Sequence, residues 1–283
     1  MNKLFSVIFL FVVLMVFIWT LPSKAAVKKI LIVLSSGDTL TLKDGKTHTT
    51  GFYMNELGVP LKALIDGGFT PVFSNPRGNK PTMDTTSDKP TLFANEDEYK
   101  AVKALLTDSS DLAHPVQLSK IVEGDLNQYS AIFIPGGHAP MIDLWKDPAL
   151  GKILHHFHEK KKPTALICHG PIALLSTLKS PETLASAVEL KKPPEAKTDW
   201  LYSGYSMTVF SDNEEKPNEP EKIGGYMKFY PEDALKAAGG KVIVAPPRQS
   251  HVIQDRELIT GQNPASDKEL AAILLKSLNK SQK

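Results

Sequence analysis

Short runs of Ile, Val and Leu, each about one strand long and most followed by a helix-like stretch, recur along this chain. That alternation restricts its fold more than any other feature. KKILIVLS (28–35) is too dense in apolar residues for a half-exposed strand and reads as one buried on both faces. YMNELGVPLKALIDGGF (53–69) sets Leu57, Leu61, Leu64 and Ile65 on one helical face and stops at Gly67-Gly68. TPVFSN (70–75), SAIFIPGG (130–137) and PTALIC (163–168) read as further strands, with helices over 148–161 and from 170 to about 178. SMTVF (206–210), KVIVAP (241–246) and VIQDRELITG (252–261) supply the last strands, and the final helix opens with the capping-box spacing Ser266-x-x-Glu269. Such alternation predicts an α/β fold, with a doubly wound, mostly parallel sheet and helices on both faces. Residues 76–128, rich in Pro, Asp, Lys and Thr with a helix near 97–107, and the polar stretch ending at Trp200 read as two surface insertions. With no internal repeat or low-complexity linker, residues 26–283 read as a single domain.

The start of the chain predicts its compartment. Lys3 precedes an uncharged, mostly apolar run from Leu4 to Trp19, and the small-residue exit Ser23-Lys24-Ala25-Ala26 follows. This is the order of a secretory signal peptide, residues 1–25, cleaved after Ala25. A membrane anchor is the competing reading, but the run falls short of the ~20 residues that span a bilayer comfortably. No cysteine lies near the exit, which argues against a lipoprotein. The expected product is exported, periplasmic or secreted, without stable membrane association. The whole chain carries 33 Lys and Arg against 31 Asp and Glu, and cleavage removes Lys3 and Lys24 but no acid. A chain without net charge has no global attraction for nucleic acid or anionic lipid.

The only cysteine, Cys168, follows the run PTALI and precedes His169-Gly170-Pro171. In doubly wound sheets reactive groups gather where strands end and helices begin. A sharp strand-to-helix turn exposes a nucleophile there, although Leu166 stands where the elbow motif has glycine. A helix N-terminus is expected to lower the thiol pKa. A buried structural thiol is the alternative. FIPGGHAPMIDLW (133–145) places Gly136 and Gly137 at the end of another strand, where flexible backbone can aim an N–H at a developing oxyanion.

IFIPGGHAP with DLW, ALICHGPIALL and ELITGQNPAS resemble the ThiJ/PfpI superfamily of class I glutamine amidotransferase-like, flavodoxin-like folds. The resemblance is closer to its heat-shock-protein-31-like branch, which includes glutathione-independent glyoxalases (glyoxalase III). It extends over nearly all of the chain after the leader. It implies catalytic roles for Cys168 and His169, and for Glu56 in GFYMNEL. By its residues alone, Glu56 could equally be a solvated helix-start carboxylate favoured by the dipole. The resemblance also implies a third acid after VF, assigned to Glu215 with Asp212 and Glu214 as competitors, and oxyanion donors at the Gly137 and His169 N–H groups. It implies a homodimer and no cofactor.

Two departures stand out. The stretch VPLKALID after Glu56 has no histidine, so the metal site that some branch members carry there is not expected. The leader is the other, since familiar relatives act inside cells. His155, His156 and His158 read as a solvated face of a Lys-rich helix, while His48, His114 and His251 show no partner in the sequence. The expected activity is conversion of methylglyoxal and related 2-oxoaldehydes to 2-hydroxy acids, through a hemithioacetal on Cys168 and a proton shuttle at Glu56. Deglycation of early glycated adducts and amide hydrolysis could use the same groups. A holdase chaperone with a redox-sensing Cys168 is the non-catalytic alternative.

Overall fold

The computed structural model describes residues 28–192, 199–217 and 219–280. Its centre is a seven-stranded sheet made of β1 (Lys29–Val33), β2 (Thr70–Asn75), β3 (Val116–Gln117), β4 (Tyr129–Ile134), β5 (Thr164–Ile167), β6 (Val252–Asp255) and β7 (Leu258–Gly261). The order is β6-β7-β5-β4-β1-β2-β3, and every pairing is parallel except the β6–β7 edge hairpin. The doubly wound, mostly parallel α/β fold is the one the strand–helix alternation demands.

Alternate residues of β1 serve opposite faces. Ile30 and Ile32 pack with α1 (Met54–Asp66), α2 (Glu96–Thr107) and the C-terminal helix Asp267–Lys280. Leu31 and Val33 face the core built on α3 (Pro148–Glu159) and α4 (Pro231–Ala238). Leu57, Leu61 and Leu64 of α1 are at most 2% exposed, and full burial of each is worth roughly 1.5–3 kcal/mol. Gly67 ends α1 and Gly68 follows at φ +82°, as the Gly-Gly stop predicts.

Some expectations are corrected. Residues 76–128 are not a surface addition only: Val102, Leu106, Leu112, Leu118 and Ile121 are buried, α2 packs on α1, and β3 pairs with the sheet at its edge. Polar composition hid apolar positions spaced for a helix face. The second insertion ends in Trp200, which is buried and donates from Nε1 to the Leu174 carbonyl. Ser206–Met207 and Lys241–Val242 pair with each other in a separate two-stranded sheet rather than joining the central one. The stretch 252–261 turns at Arg256 (φ +57°) into the β6–β7 hairpin. The capping box lies one turn earlier than predicted, between Asn263 and Ser266, because Glu269 is drawn to Ser250 Oγ at 2.6 Å. The leader, residues 1–25, lies outside the described residues. Among the described residues, no helix is long and apolar enough to cross a membrane.

Candidate active site

The parallel register sets Ile134, Leu166 and Thr260 side by side at the carboxyl ends of β4, β5 and β7. Three connections therefore leave the sheet together: Pro135–His138, Cys168-His169 and Gln262-Asn263. Cys168 sits in the left-handed region at φ +60°. The other described non-glycine residues with positive φ are exposed, whereas Cys168 is buried. This conformation costs on the order of 1–3 kcal/mol and persists only where the surroundings impose it. Here the Cys168 N–H donates to the Gly261 carbonyl and the Phe210 N–H donates to the Cys168 carbonyl, each at 2.9 Å.

Glu56 enters from the first turn of α1. The Met54 N–H donates to Ser87 Oγ (2.9 Å) and Asn55 Nδ2 donates to Asp267 (2.8 Å), which together hold the helix start in place. Glu56 is fully buried and neither carboxyl oxygen has a hydrogen bond of regular geometry among the described residues. The reading of Glu56 as a solvated helix-start carboxylate is therefore corrected: the first turn of α1 lies under the Pro135–His138 loop. The neighbouring polar groups are the Cys168 thiol and the Gly137 N–H. Gly136 packs against both side chains, and a methyl group there would come within 2.5 Å of Glu56 Oε2 and even closer to Cys168 Cβ. Glycine is what lets the loop pass this close to acid and thiol.

Burial pushes the Glu56 carboxyl up to about 8, partly held back by the Cys168 thiol. Burial, and then the Glu56 carboxyl, push the Cys168 thiol well above its ordinary value, against a smaller opposing effect of the Gly137 N–H. The expectation of a thiol lowered by a helix N-terminus is thus corrected. The segment after the elbow, Gly170–Thr177, is a 3-10 helix, and its dipole does not offset full burial beside a carboxyl. Acid and thiol behave as a pair that retains a proton at neutral pH.

On the other side of the sulfur, His169 Nδ1 lies 3.3 Å from Cys168 Sγ. Phe210 stacks on the imidazole at 4.8 Å between centroids. His169 Nε2 meets Glu215 Oε2 at 2.5 Å, and the second oxygen of Glu215 meets His138 Nε2 at 3.0 Å. Burial alone would raise Glu215, but His138 and His169 outweigh it and hold the carboxyl far below the usual range. An ionised Glu215 needs a proton on each facing Nε2, which leaves His169 Nδ1 with a lone pair towards the thiol. Burial and the neighbouring His138 push His169 down. Burial opposes a charge on His138 as well, yet Glu215 prevails and raises it. Of the two imidazoles, His138 is the one that Glu215 shifts towards the protonated form.

Of the three candidates for the third acid, Glu215 is the one joined to His169. Glu214 points the other way and accepts from Ser211 Oγ, Gln262, Asn263 and the Arg248 N–H, each at 2.8 Å. Asp212 pairs with Lys216 at 2.5 Å. The N–H groups of Gly137 and His169 enter no backbone–backbone hydrogen bond among the described residues, and the Gly137 N–H faces Glu56 and Cys168. Sequence reasoning overlooked His138, whose signal was its place directly after Pro-Gly-Gly. His48, without a visible partner in the sequence, lies edge-on to His138 at 5.8 Å. His158 does not belong to a solvated face: its Nδ1 is 2.7 Å from Glu257 Oε1 and 3.2 Å from the Tyr205 hydroxyl. Among the described residues, two groups of potential metal ligands converge away from the VPLKALID stretch, namely His48, Asp84 and His138, and His138, His169 and Glu215.

The ThiJ/PfpI family-like model matches residues 48–193. A protein/nucleic acid deglycase HchA of Staphylococcus aureus is 28% identical over 256 residues, covering 88% of this chain and 80% of the relative. The rapid encystment protein of Francisella tularensis superposes with TM-score 0.66 at 25% identity, over 89% of this chain and 99% of its own. Glyoxalase III of Candida albicans superposes with TM-score 0.64 at 21% identity, over 88% and 97%.

Proposed function

The chain belongs to the ThiJ/PfpI family, and from that premise we propose that it is a cofactor-independent glyoxalase of the glyoxalase III type, converting methylglyoxal and similar 2-oxoaldehydes to 2-hydroxy acids. The observation that carries this reading is the buried Glu56 carboxyl beside Cys168, pushed up to about 8 and without a regular hydrogen bond of its own. A base that must take a proton from carbon and return it to the adjacent carbon is most effective with a pKa near the working pH.

The steps follow from the geometry. The Cys168 thiol passes its proton to ionised Glu56 as the sulfur attacks the aldehyde carbon, and Glu56 gives that proton to the developing alkoxide, leaving a hemithioacetal and a carboxylate. The N–H groups of Gly137 and His169 hold the oxygen while it carries charge. Glu56 then removes the C1 proton to form an enediolate and returns it to C2. His169 Nδ1, oriented by Glu215, relays the remaining proton between the two oxygens, which yields the thioester of the 2-hydroxy acid. Water releases the acid and regenerates the thiol. The net reaction is addition of one water to methylglyoxal to give lactate.

Deglycation is the second reading, supported by the deglycase relatives. It uses the same thiol and acid but starts from an adduct on an amine or thiol. The decisive measurement is lactate formation from methylglyoxal without glutathione, beside release of free N-acetylcysteine from its methylglyoxal hemithioacetal adduct. Saturable lactate formation abolished by Cys168→Ser supports the glyoxalase. Adduct release that outpaces the adduct's spontaneous dissociation, with no lactate from free methylglyoxal, replaces it with the deglycase.

The leader and the homodimer belong to the same proposal. Lys3, the apolar run and the Ser23-Lys24-Ala25 exit support export. N-terminal sequencing of exported protein that finds Met1 retained ends the idea of a cleaved leader. Sedimentation of the purified protein as a monomer at micromolar concentration removes the dimer.

A further inference from the structure

We propose that His48, Asp84 and His138 form a binding site for one divalent transition-metal ion of the zinc class, at the edge of the Cys168 site. One ring nitrogen of each histidine and one Asp84 oxygen lie within 4.8 Å of one another. The three residues are far apart in sequence, yet their segments are tied together. The Phe52 N–H donates to the Thr82 carbonyl and the Asp84 N–H donates back to the Phe52 carbonyl, both at 2.9 Å. The Tyr53 N–H reaches the Gly136 carbonyl at 3.3 Å, which ties the Pro135–His138 loop to the same segment.

The surroundings are those of a ligand set. Asp84 is 5% exposed and pairs with no lysine or arginine among the described residues. Its donors are neutral: Thr50 Oγ1 at 3.0 Å, and Thr86 through its N–H at 2.9 Å and Oγ1 at 2.7 Å. A buried carboxylate with only neutral donors is a place for a cation, and hydrogen bonds to a carboxylate are what orient it for a metal. His138 is prepared in the same way. Its Nε2 faces Glu215 Oε1 at 3.0 Å, the carboxylate–histidine arrangement that fixes the tautomer of a metal ligand and leaves Nδ1 to bind. The metal would take the place of the Nδ1 proton. His48 is half-buried and gives the site contact with solvent.

Two imidazoles and one carboxylate form a donor set for zinc, with a fourth position open. Zinc bonds of about 2.0–2.2 Å place tetrahedral ligands roughly 3.3 Å apart, so closure needs a shift of about 1.5 Å or less, within reach of a rotation of the His48 ring. The site stands independently of the carbonyl chemistry.

The test is zinc titration of the purified Cys168→Ser protein against a chromophoric chelator, which removes the thiol as a competing ligand. One equivalent should bind, and zinc should raise the thermal midpoint. His48→Ala and Asp84→Asn should each weaken binding by at least about tenfold, while melting like their parent without metal. His155→Ala, a change at an exposed histidine of α3, should bind as the parent does. Unchanged affinity in His48→Ala and Asp84→Asn overturns the proposal. So does binding below one equivalent, or binding that survives both changes and is lost in His169→Ala, which would assign the metal to the His138, His169 and Glu215 group.

Discussion

The Glu56 carboxyl and the Cys168 thiol meet in one buried space, with the backbone of Gly136 packed against both. Burial raises the proton affinity of both and the carboxyl raises the thiol further, while the thiol holds the carboxyl back, so the pair holds a proton at neutral pH that can be given to substrate. A helix-start glutamate and a strand-end cysteine, 112 residues apart in sequence, become one functional unit by this contact.

Glu56→Gln keeps the shape and hydrogen-bonding capacity but cannot carry a proton from C1 to C2. Its kcat for methylglyoxal should fall by about 10²–10⁴-fold, the range of general acid–base catalysis, with the fold intact by thermal melt. A loss below about tenfold removes Glu56 from the mechanism.

The same substitution reads out the pH linkage. The folded carboxyl is raised from 4.5 to about 8, so its favourable contribution is complete below the unfolded value and is lost as pH rises towards the folded one. Wild type should therefore lose stability relative to Glu56→Gln between pH 4.5 and 8, by on the order of a few kcal/mol. Denaturant unfolding of both proteins across that window checks the sign. A difference independent of pH means the carboxyl is not raised.

Glu215 titrates in the opposite direction. Its folded carboxyl lies below its ordinary value of 4.5, so its contribution is present above the unfolded value and disappears as pH falls through the folded one. Glu215→Gln removes the carboxylate that His138 and His169 both face and should cost about 1–3 kcal/mol at pH 7, as leaving a buried group without its partner does. The cost should shrink below about pH 4, and kcat should fall because His169 loses its orientation. Chemical denaturation at several pH values, with kcat beside it, measures both.

Glu214 separates position from role. Glu214→Ala strips hydrogen bonds from the buried Gln262 and Asn263 side chains and from Ser211. It should destabilise by about 2–4 kcal/mol, since each unsatisfied buried group costs about 1–3 kcal/mol. Asp212→Asn, at a residue paired with half-exposed Lys216, should cost less than about 1 kcal/mol. Equal effects in thermal melts contradict this division.

Gly136→Ala tests the shared space directly. The added methyl meets Glu56 Oε2 at 2.5 Å and the Ile167 carbonyl at 2.7 Å. Overpacking of this kind costs typically 1–3 kcal/mol, and separating thiol from acid should lower kcat more than it raises KM. Unaltered kinetics and stability would mean that the loop moves aside without cost.

The sequence by itself determined the sheet and the elbow. Apolar runs such as KKILIV and PTALI must be buried on both faces, and strands of that kind separated by helices have only one economical arrangement. The Gly-Gly stop of α1 and the Cys-His-Gly-Pro turn were legible because they are local, set by backbone torsions at one or two residues. The roles of Cys168, His169, Glu56 and Glu215 rested on family resemblance, and the structure brings those four side chains together.

Only the tertiary structure decided the rest, because it depends on distances between segments remote in sequence. Polar composition concealed that 76–128 closes one edge of the sheet. The choice of Glu215 over Glu214 turned on which way a single helical turn presents two adjacent carboxylates, one to His169 and the other to Gln262 and Asn263. Position after a strand suggested a lowered thiol, whereas burial beside Glu56 raises it. His48, Asp84 and His138 carry no common spacing at all; the backbone bonds that join Phe52, Thr82 and Asp84, and Tyr53 to Gly136, are what bring them within reach of one ion.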